Sequence, residues 1–281
     1  MKRFLVTFVN YSNDYNTEED RERYKLFKQF NSERNKQYCL THNIEYIEVN
    51  ESVYKIPHMF TIEGKPEFTV KNNNHFARWQ FFRDNIDNGT FKPNDIIHHH
   101  DADIFIVQAD KLMPSNKSFT YAIDTANSHC FGAFTLRVND FGNKLINLML
   151  SREKFDTLTK IHFYKENEGG NVFFYWGDQQ AYYIAAGIKC HSWESFYNLP
   201  NNGFYTSPTQ FMSFTLDELL TNVDILPVEW NVTHIVEEQG PSEYYIVPSN
   251  KSDTIFRHFA GGQKWNFEEY TKQYPLKKDD T

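Results

Sequence analysis

The chain predicts an α/β fold: a single Rossmann-like domain with a mostly parallel central sheet flanked by helices. Two observations carry that expectation. Short apolar runs alternate with longer stretches of three- and four-residue apolar spacing in the first part of the chain, which is the strand-helix-strand order of a parallel sheet. One apolar run then ends in two acids one residue apart, Asp101 and Asp103, at a place where such sheets keep their ligand crevice. With 281 residues, and no Gly/Ser/Pro-rich tract or charge run to divide it, the chain reads as one domain with a sizeable core.

Phe4 to Val9 is the first expected strand. Thr17-Glu-Glu-Asp20 supplies a cap and first-turn acids for a helix running to about His42, and a second strand spans Ile44 to Val49. Phe76, Trp79, Phe82 and Ile86 mark one face of a helix over about 68–86, stopped by Asn88-Gly89. Ile96 and Ile97 then lead into Asp101. Further on, strands are expected at Phe119 to Ile123 and Cys130 to Val138, and a helix at Phe141 to Leu150. Another helix starts at Asp178 as cap and stops at Gly187. Short strands (Ile225 to Val228, Tyr245 to Val247, Thr254 to Phe259) and a helix from about Asn266 complete the chain.

Asp-x-Asp alone commonly marks a solvated turn. Here it interrupts a buried element, because Ile104-Phe-Ile-Val107 follows it, and an interior strand keeps carboxylates only where something compensates them. In extended chain, alternate residues share a face, so Asp101 and Asp103 are expected to aim oxygens at one point with Ala102 on the opposite side. Two hard anionic oxygens suit a divalent cation that carries a phosphorylated ligand. Near the other end stands His258-Phe-Ala-Gly261-Gly-Gln-Lys264-Trp265, which offers an imidazole nitrogen, glycines for close backbone approach and a cation for phosphate.

Asp101-x-Asp103 resembles the DxD motif of GT-A glycosyltransferases. His258-x-x-Gly261-x-x-Lys264-Trp265 is similar to the H-x-x-G-x-x-K-P-W signature of glycosyltransferase family 8 and its counterpart in family 34, without the proline. Phe134-Thr-Leu-Arg137-Val-Asn139 and Gly177-Asp178-Gln179 extend the likeness. The resemblance implies one GT-A domain over residues 1–281, with a nucleotide-sugar-binding half to about 110 and an acceptor-binding half over about 111–281 that returns a metal ligand. It implies Mn2+ or Mg2+ held by Asp101, Asp103 and His258, and a diphosphate contacted by Lys264 beside Gly261; Lys71 or Arg78 is a candidate for further positive potential there. Asn10 and Tyr11, at the end of the first strand, are candidates for the nucleotide base. The implied activity moves a hexosyl or pentosyl group from a nucleotide sugar, UDP by family likeness, to a hydroxyl of a glycan or glycoconjugate. Asp178 is the candidate base for an inverting reaction, or a helix cap. Gln179 would lie near the sugar in a retaining one. Trp176, Trp193 and Trp230 are candidate acceptor platforms.

Two other functions compete. His98-His-His-Asp101-x-Asp103 can be read as a metal-dependent phosphoesterase cluster, although strand alternation separates His98 and His100 from His99 and the acids. A non-catalytic sugar-binding module of the same fold is the other. The formal charge of −8 argues against nucleic acid or anionic membrane as partner. Three widely spaced cysteines (Cys39, Cys130, Cys190) give no zinc or disulfide framework. The apolar run at the start ends at Asn10, too short for a signal peptide, and no segment is long enough to span a bilayer, so a soluble cytoplasmic protein is expected. The sequons at Asn88, Asn116, Asn231 and Asn250 read as chance matches in an Asn-rich chain.

Overall fold

Residues 1–9, 18–50, 74–125, 129–151, 178–186, 213–233, 248, 250–260 and 266–275 are described by a computed structural model. Asn10, Tyr11, the Thr17 cap, Lys71, Trp176, Gly187, Cys190, Trp193, the strand expected at Tyr245 to Val247, Gly261, Lys264 and Trp265 lie outside the described residues. By contacts the chain divides into two compact units. One takes Met1–Ser52, Asn94–Arg137 and Asp224–Thr281, the other Val53–Pro93 and Val138–Val223.

The first unit is built on β1 (Arg3–Val9) and a helical run of α1 (Glu18–Leu26), a π-helical turn (Phe27–Asn31) and α2 (Ser32–His42). Asn43, at φ 53, closes α2 in the left-handed conformation that asparagine tolerates. The chain then returns as β2 (Glu45–Asn50). The second unit holds α3 (Asn74–Asp87), after which β3 (Ile96–His100), β4 (Ile104–Ile106), β5 (Phe119–Ile123) and β6 (His129–Arg137) belong to the first. The second resumes with α4 (Asp140–Met149), α5 (Asp178–Ala185) and α6 (Leu216–Asn222). Then come β7 (Val223–Leu226), a 3-10 turn (Val228–Trp230), β8 (Phe256–His258) and α7 (Phe267–Gln273).

The main sheet has six strands in the order β2-β1-β3-β6-β5-β7. β1 pairs in parallel with both β2 and β3, while β6 runs antiparallel to both β3 and β5. β2, β1, β3 and β5 therefore share one direction and β6 alone among these five is reversed, which gives the mostly parallel α/β sheet that the sequence predicts. A separate antiparallel ribbon pairs β4 with β8, placing Ile104 opposite His258 and Ile106 opposite Phe256.

Alternation explains the two faces of β3. His98 and His100 point one way, with His100 packed on Phe256 and Tyr38 at 4.7 and 5.8 Å between ring centroids, and His99 points the other way onto Phe134 at 4.8 Å. Leu5, Tyr38, Cys39, Ile104, Ile106, Ala133 and Phe256 form one buried cluster; Phe105, Phe259, Phe267 and Tyr270 join α7 to the ribbon in another.

In the second unit, Asn139 caps α4 by accepting from the Gly142 N–H at 2.9 Å. Thr215 and Glu218 make a reciprocal capping box at the start of α6. Arg83 of α3 donates to Asn147 of α4 at 2.7 Å, and Lys144 pairs with Glu218 at 2.6 Å. No described helix is long and apolar enough to cross a membrane.

Candidate metal centre

The two acids sit in a turn and not in extended chain. β3 ends at His100, β4 starts at Ile104, and the Ile104 N–H donates to the Asp101 carbonyl at 3.0 Å to close a tight reversal over Asp101-Ala102-Asp103. The expected strand alternation is thus corrected: the reversal, not the pleat, turns both carboxylates to one side, and Ala102 packs against the Phe105–Phe267 cluster. The π-helical turn braces it. Asn31, fully buried, donates its side-chain N–H groups to the carbonyls of Ala102 (3.0 Å) and Ile104 (2.7 Å). Arg34, one helical turn on, donates to the Ile106 carbonyl at 2.9 Å and lies over the Phe105 ring at 4.3 Å. Burial pushes its guanidinium down to about 10.

The ribbon delivers the third candidate ligand. Antiparallel pairing sets His258 opposite Ile104, and the Phe259 N–H continues the ladder to the Asp103 carbonyl at 3.0 Å. His258 Nε2 comes within 3.3 Å of Asp103 Oδ1, and one ligand atom each from Asp101, Asp103 and His258 lie within 4.8 Å of one another. The acids are half-buried and the imidazole is buried. Nδ1, on the far side of the ring, faces Asn231 Oδ1 at 2.9 Å and the Cys130 sulfur at 3.7 Å. Burial alone lowers the affinity of His258 for a proton; the charge and hydrogen bond of Asp103, and the Cys130 thiol, more than reverse this and hold it well above the ordinary histidine range. A divalent cation at Nε2 would therefore take the place of a proton.

Glycine is required beneath the ring. β6 slips register against β5 between Tyr121 and Ala122, and Gly132 lies in the slipped stretch, against the His258 ring. A Cβ at Gly132 would fall 2.4 Å from His258 Cε1 and 2.7 Å from Nδ1. The Gly132 carbonyl accepts the Asp101 N–H at 2.7 Å, so the same residue holds the turn. His99 Nε2 stands 2.8 Å from Asp101 Oδ1 and steers that carboxylate from below. Two carboxylate oxygens and an imidazole nitrogen whose other nitrogen is engaged are a donor set that could hold a divalent cation.

Asp101, Asp103 and His258, the residues that the sequence offers to a cation, are brought together by the structure. It does not gather the phosphoesterase cluster: His98 and His100 are fully buried on the opposite face of β3 from His99, with ring nitrogens that meet no hydrogen-bond partner among the described residues. Asn31, Gly132 and Asn231 escaped notice as site residues. Only Gly132 carried a signal, a glycine inside a strand pattern, which points to close approach of another group.

Asp178, at the start of α5, belongs to the second unit and is buried. Its Oδ2 accepts the Trp79 indole N–H at 2.7 Å and pairs with Arg78 Nε at 3.1 Å, while Oδ1 accepts the Gln179 N–H at 2.9 Å. Arg78, expected near a diphosphate, is thus held on Asp178, and Gln179 is half-buried beside it. Trp230, a candidate acceptor platform, packs edge-on against Phe256 at 5.4 Å between centroids.

The chain matches no protein-family model and no curated protein. Among solved structures it is similar to a glycosyltransferase involved in glycosylation of the major capsid of PBCV-1, at 11% identity and a TM-score of 0.43 over 98% of this chain and 100% of that one. It is similar to the glycosyltransferase GlyE of Streptococcus pneumoniae TIGR4, at 14% identity and a TM-score of 0.42 over 98% of this chain and 61% of that one. The galactosyltransferase LgtC, solved in complex with donor and acceptor sugar analogs, gives 10% identity and a TM-score of 0.43 over 98% and 97%.

Proposed function

We propose that the chain is a divalent-cation-dependent glycosyltransferase that moves a hexosyl or pentosyl group from a nucleotide sugar, in the first instance a UDP-sugar, to a hydroxyl of a glycan or glycoconjugate. The observation that carries this is the meeting of Asp101 and Asp103, from the turn between β3 and β4, with His258, from β8. Mn2+ or Mg2+ held by these three would supply positive charge to the donor diphosphate and to the negative charge that grows there as the glycosidic bond breaks. Gly261 and Lys264 follow His258 by three and six residues, and we assign their backbone and ammonium group to the diphosphate oxygens. Asn10 and Tyr11 are assigned to the nucleotide base, since β1 and β3 are parallel neighbours and their carboxyl ends share one sheet edge.

The commitments of Asp178 shape the stereochemical reading. Both Asp178 oxygens are engaged, Oδ2 by Trp79 and Arg78 and Oδ1 by the Gln179 N–H, which suits a carboxylate that holds a helix start better than one that meets an acceptor hydroxyl as its base. We assign Asp178 and Arg78 to fixing the start of α5 and with it Gln179, and the transfer to retention at the anomeric carbon, which needs no such base.

The test begins with melting temperature against a panel of sugar nucleotides, with and without Mn2+, because a ligand that binds only the folded state raises it. One donor should stabilise in a Mn2+-dependent way and be turned over with a suitable acceptor. Asp103→Ala should abolish both effects while leaving the circular dichroism unchanged, and full activity in that variant would contradict the assignment. Stabilisation without product would point to a sugar-binding module instead. NMR of the product reads retention or inversion directly.

A further inference from the structure

We infer, resting on the cation site proposed above, that Asn231 is a positioning residue which keeps a proton on Nδ1 of His258 and so makes Nε2 the nitrogen that gives up its proton to the metal. His258 presents its nitrogens to opposite sides, Nε2 to Asp103 at 3.3 Å and Nδ1 to Asn231 Oδ1 at 2.9 Å. An imidazole can ligate only through a nitrogen that bears no proton, so the remaining proton must reside on the other nitrogen, where an acceptor has to meet it. Asn231 Oδ1 is that acceptor. The Cys130 sulfur, at 3.7 Å from Nδ1, is more distant and softer. With the amide turned over, Nδ2 would donate to Nδ1, force the proton onto Nε2 and close it to a cation.

The placement of Asn231 is built in by the backbone. The 3-10 turn Val228–Trp230 ends on it, with its N–H donating to the Val228 carbonyl at 2.8 Å. The segment is then stitched to β8: the Val232 N–H donates to Phe256 at 3.0 Å and the His258 N–H donates to Val232 at 2.9 Å. Arg257, fully buried, donates to the carbonyls of Val232 and Thr233 at 2.9 and 2.6 Å. Asn231 itself is fully buried, and its Nδ2 has no hydrogen-bond partner among the described residues. A buried amide that leaves its donor unsatisfied while its oxygen meets a ligand's back nitrogen is costly to keep for packing alone.

The experiment titrates Mn2+ alone, followed by the electron paramagnetic resonance of the free ion, into the wild type, Asn231→Leu, Asn231→Asp and Asp103→Ala. Removing the acceptor should weaken Mn2+ binding about 10–100-fold in Asn231→Leu, whereas Asn231→Asp, which keeps an acceptor at the same place, should stay within about threefold of the wild type. Wild-type affinity in Asn231→Leu overturns the inference, as does an equal loss in both variants, which would mark a role in shape alone. A wild type that binds no Mn2+ removes the cation site itself, and the inference with it; this outcome is distinct because Asp103→Ala would then change nothing. Long-range nitrogen–proton correlation on the Mg2+-loaded wild type decides the matter without any variant. A proton on Nδ1 of His258 is the expected result, and a proton on Nε2 overturns the inference.

Discussion

Gly132 sets the sharpest constraint at the scale of single residues. Its missing side chain is the space that the His258 ring occupies, and a Cβ there would stand 2.4 Å from Cε1. Gly132→Ala should push the ring away from Asp103, reduce Mn2+ affinity at least tenfold by calorimetric titration, and cost about 1–3 kcal/mol in urea unfolding. Wild-type affinity in that variant would show that the ring adapts. The three candidate ligands themselves were legible in the sequence because each is a metal-capable side chain at a chain position with a pattern: acids interrupting an apolar run, and a histidine before a glycine-rich turn. Their supports were not. Asn231 lies in a segment that reads as a sequon, and its relation to His258 exists only once the 3-10 turn and β8 are stitched together. Asp178 was legible as a helix start, and its Gln179 N–H contact fits that reading; its pairing with Trp79 and Arg78 depends on how α3 meets α5.

Elements matter through where they break. The helical run from Glu18 to His42 was foreseen as continuous, yet its π-helical turn ends on Asn31. One extra residue per turn re-aims side chains, and such turns recur at functional places. Here the gain is a side chain that grips two carbonyls of the acid-bearing reversal. Asn31→Leu should leave those carbonyls unsatisfied, cost about 1–3 kcal/mol, and speed hydrogen exchange at the Ile104 amide, which closes the reversal. Unchanged exchange would mean that β4–β8 pairing alone holds the turn. The strands of the main sheet were foreseen within a residue or two, because alternation and apolar runs are local signals. That Ile104–Ile106 leaves the main sheet to form a ribbon with Phe256–His258 was not visible, since the partner lies more than half the chain away. The helix at Leu216–Asn222 was missed although Thr215-Leu-Asp-Glu218 is a capping-box sequence.

For the molecule as a whole, buried histidines tie stability to acidity. Burial, with Arg3 and His42 nearby, pushes His98 down to about 3, and burial pushes His129 down to about 4. Both folded-state values lie below that of the unfolded chain, about 6.5. Their contribution is therefore complete above about pH 6.5 and is lost as pH falls from there toward the folded values, at up to roughly 1.4 kcal/mol per pH unit for each. Urea midpoints should drop between pH 7.5 and pH 5, and His98→Phe should flatten the fall; an unaltered slope in that variant would exclude His98 as a source. The interleaving of the two units has a further consequence, for biosynthesis. A ribosome releases Asp101 and Asp103 long before Phe256–His258, so β4 waits with its hydrogen-bonding edge open while the rest of the polypeptide is made. A chain arrested before Phe256 would carry the acids, no His258 imidazole to join them, and a strand without its ribbon partner.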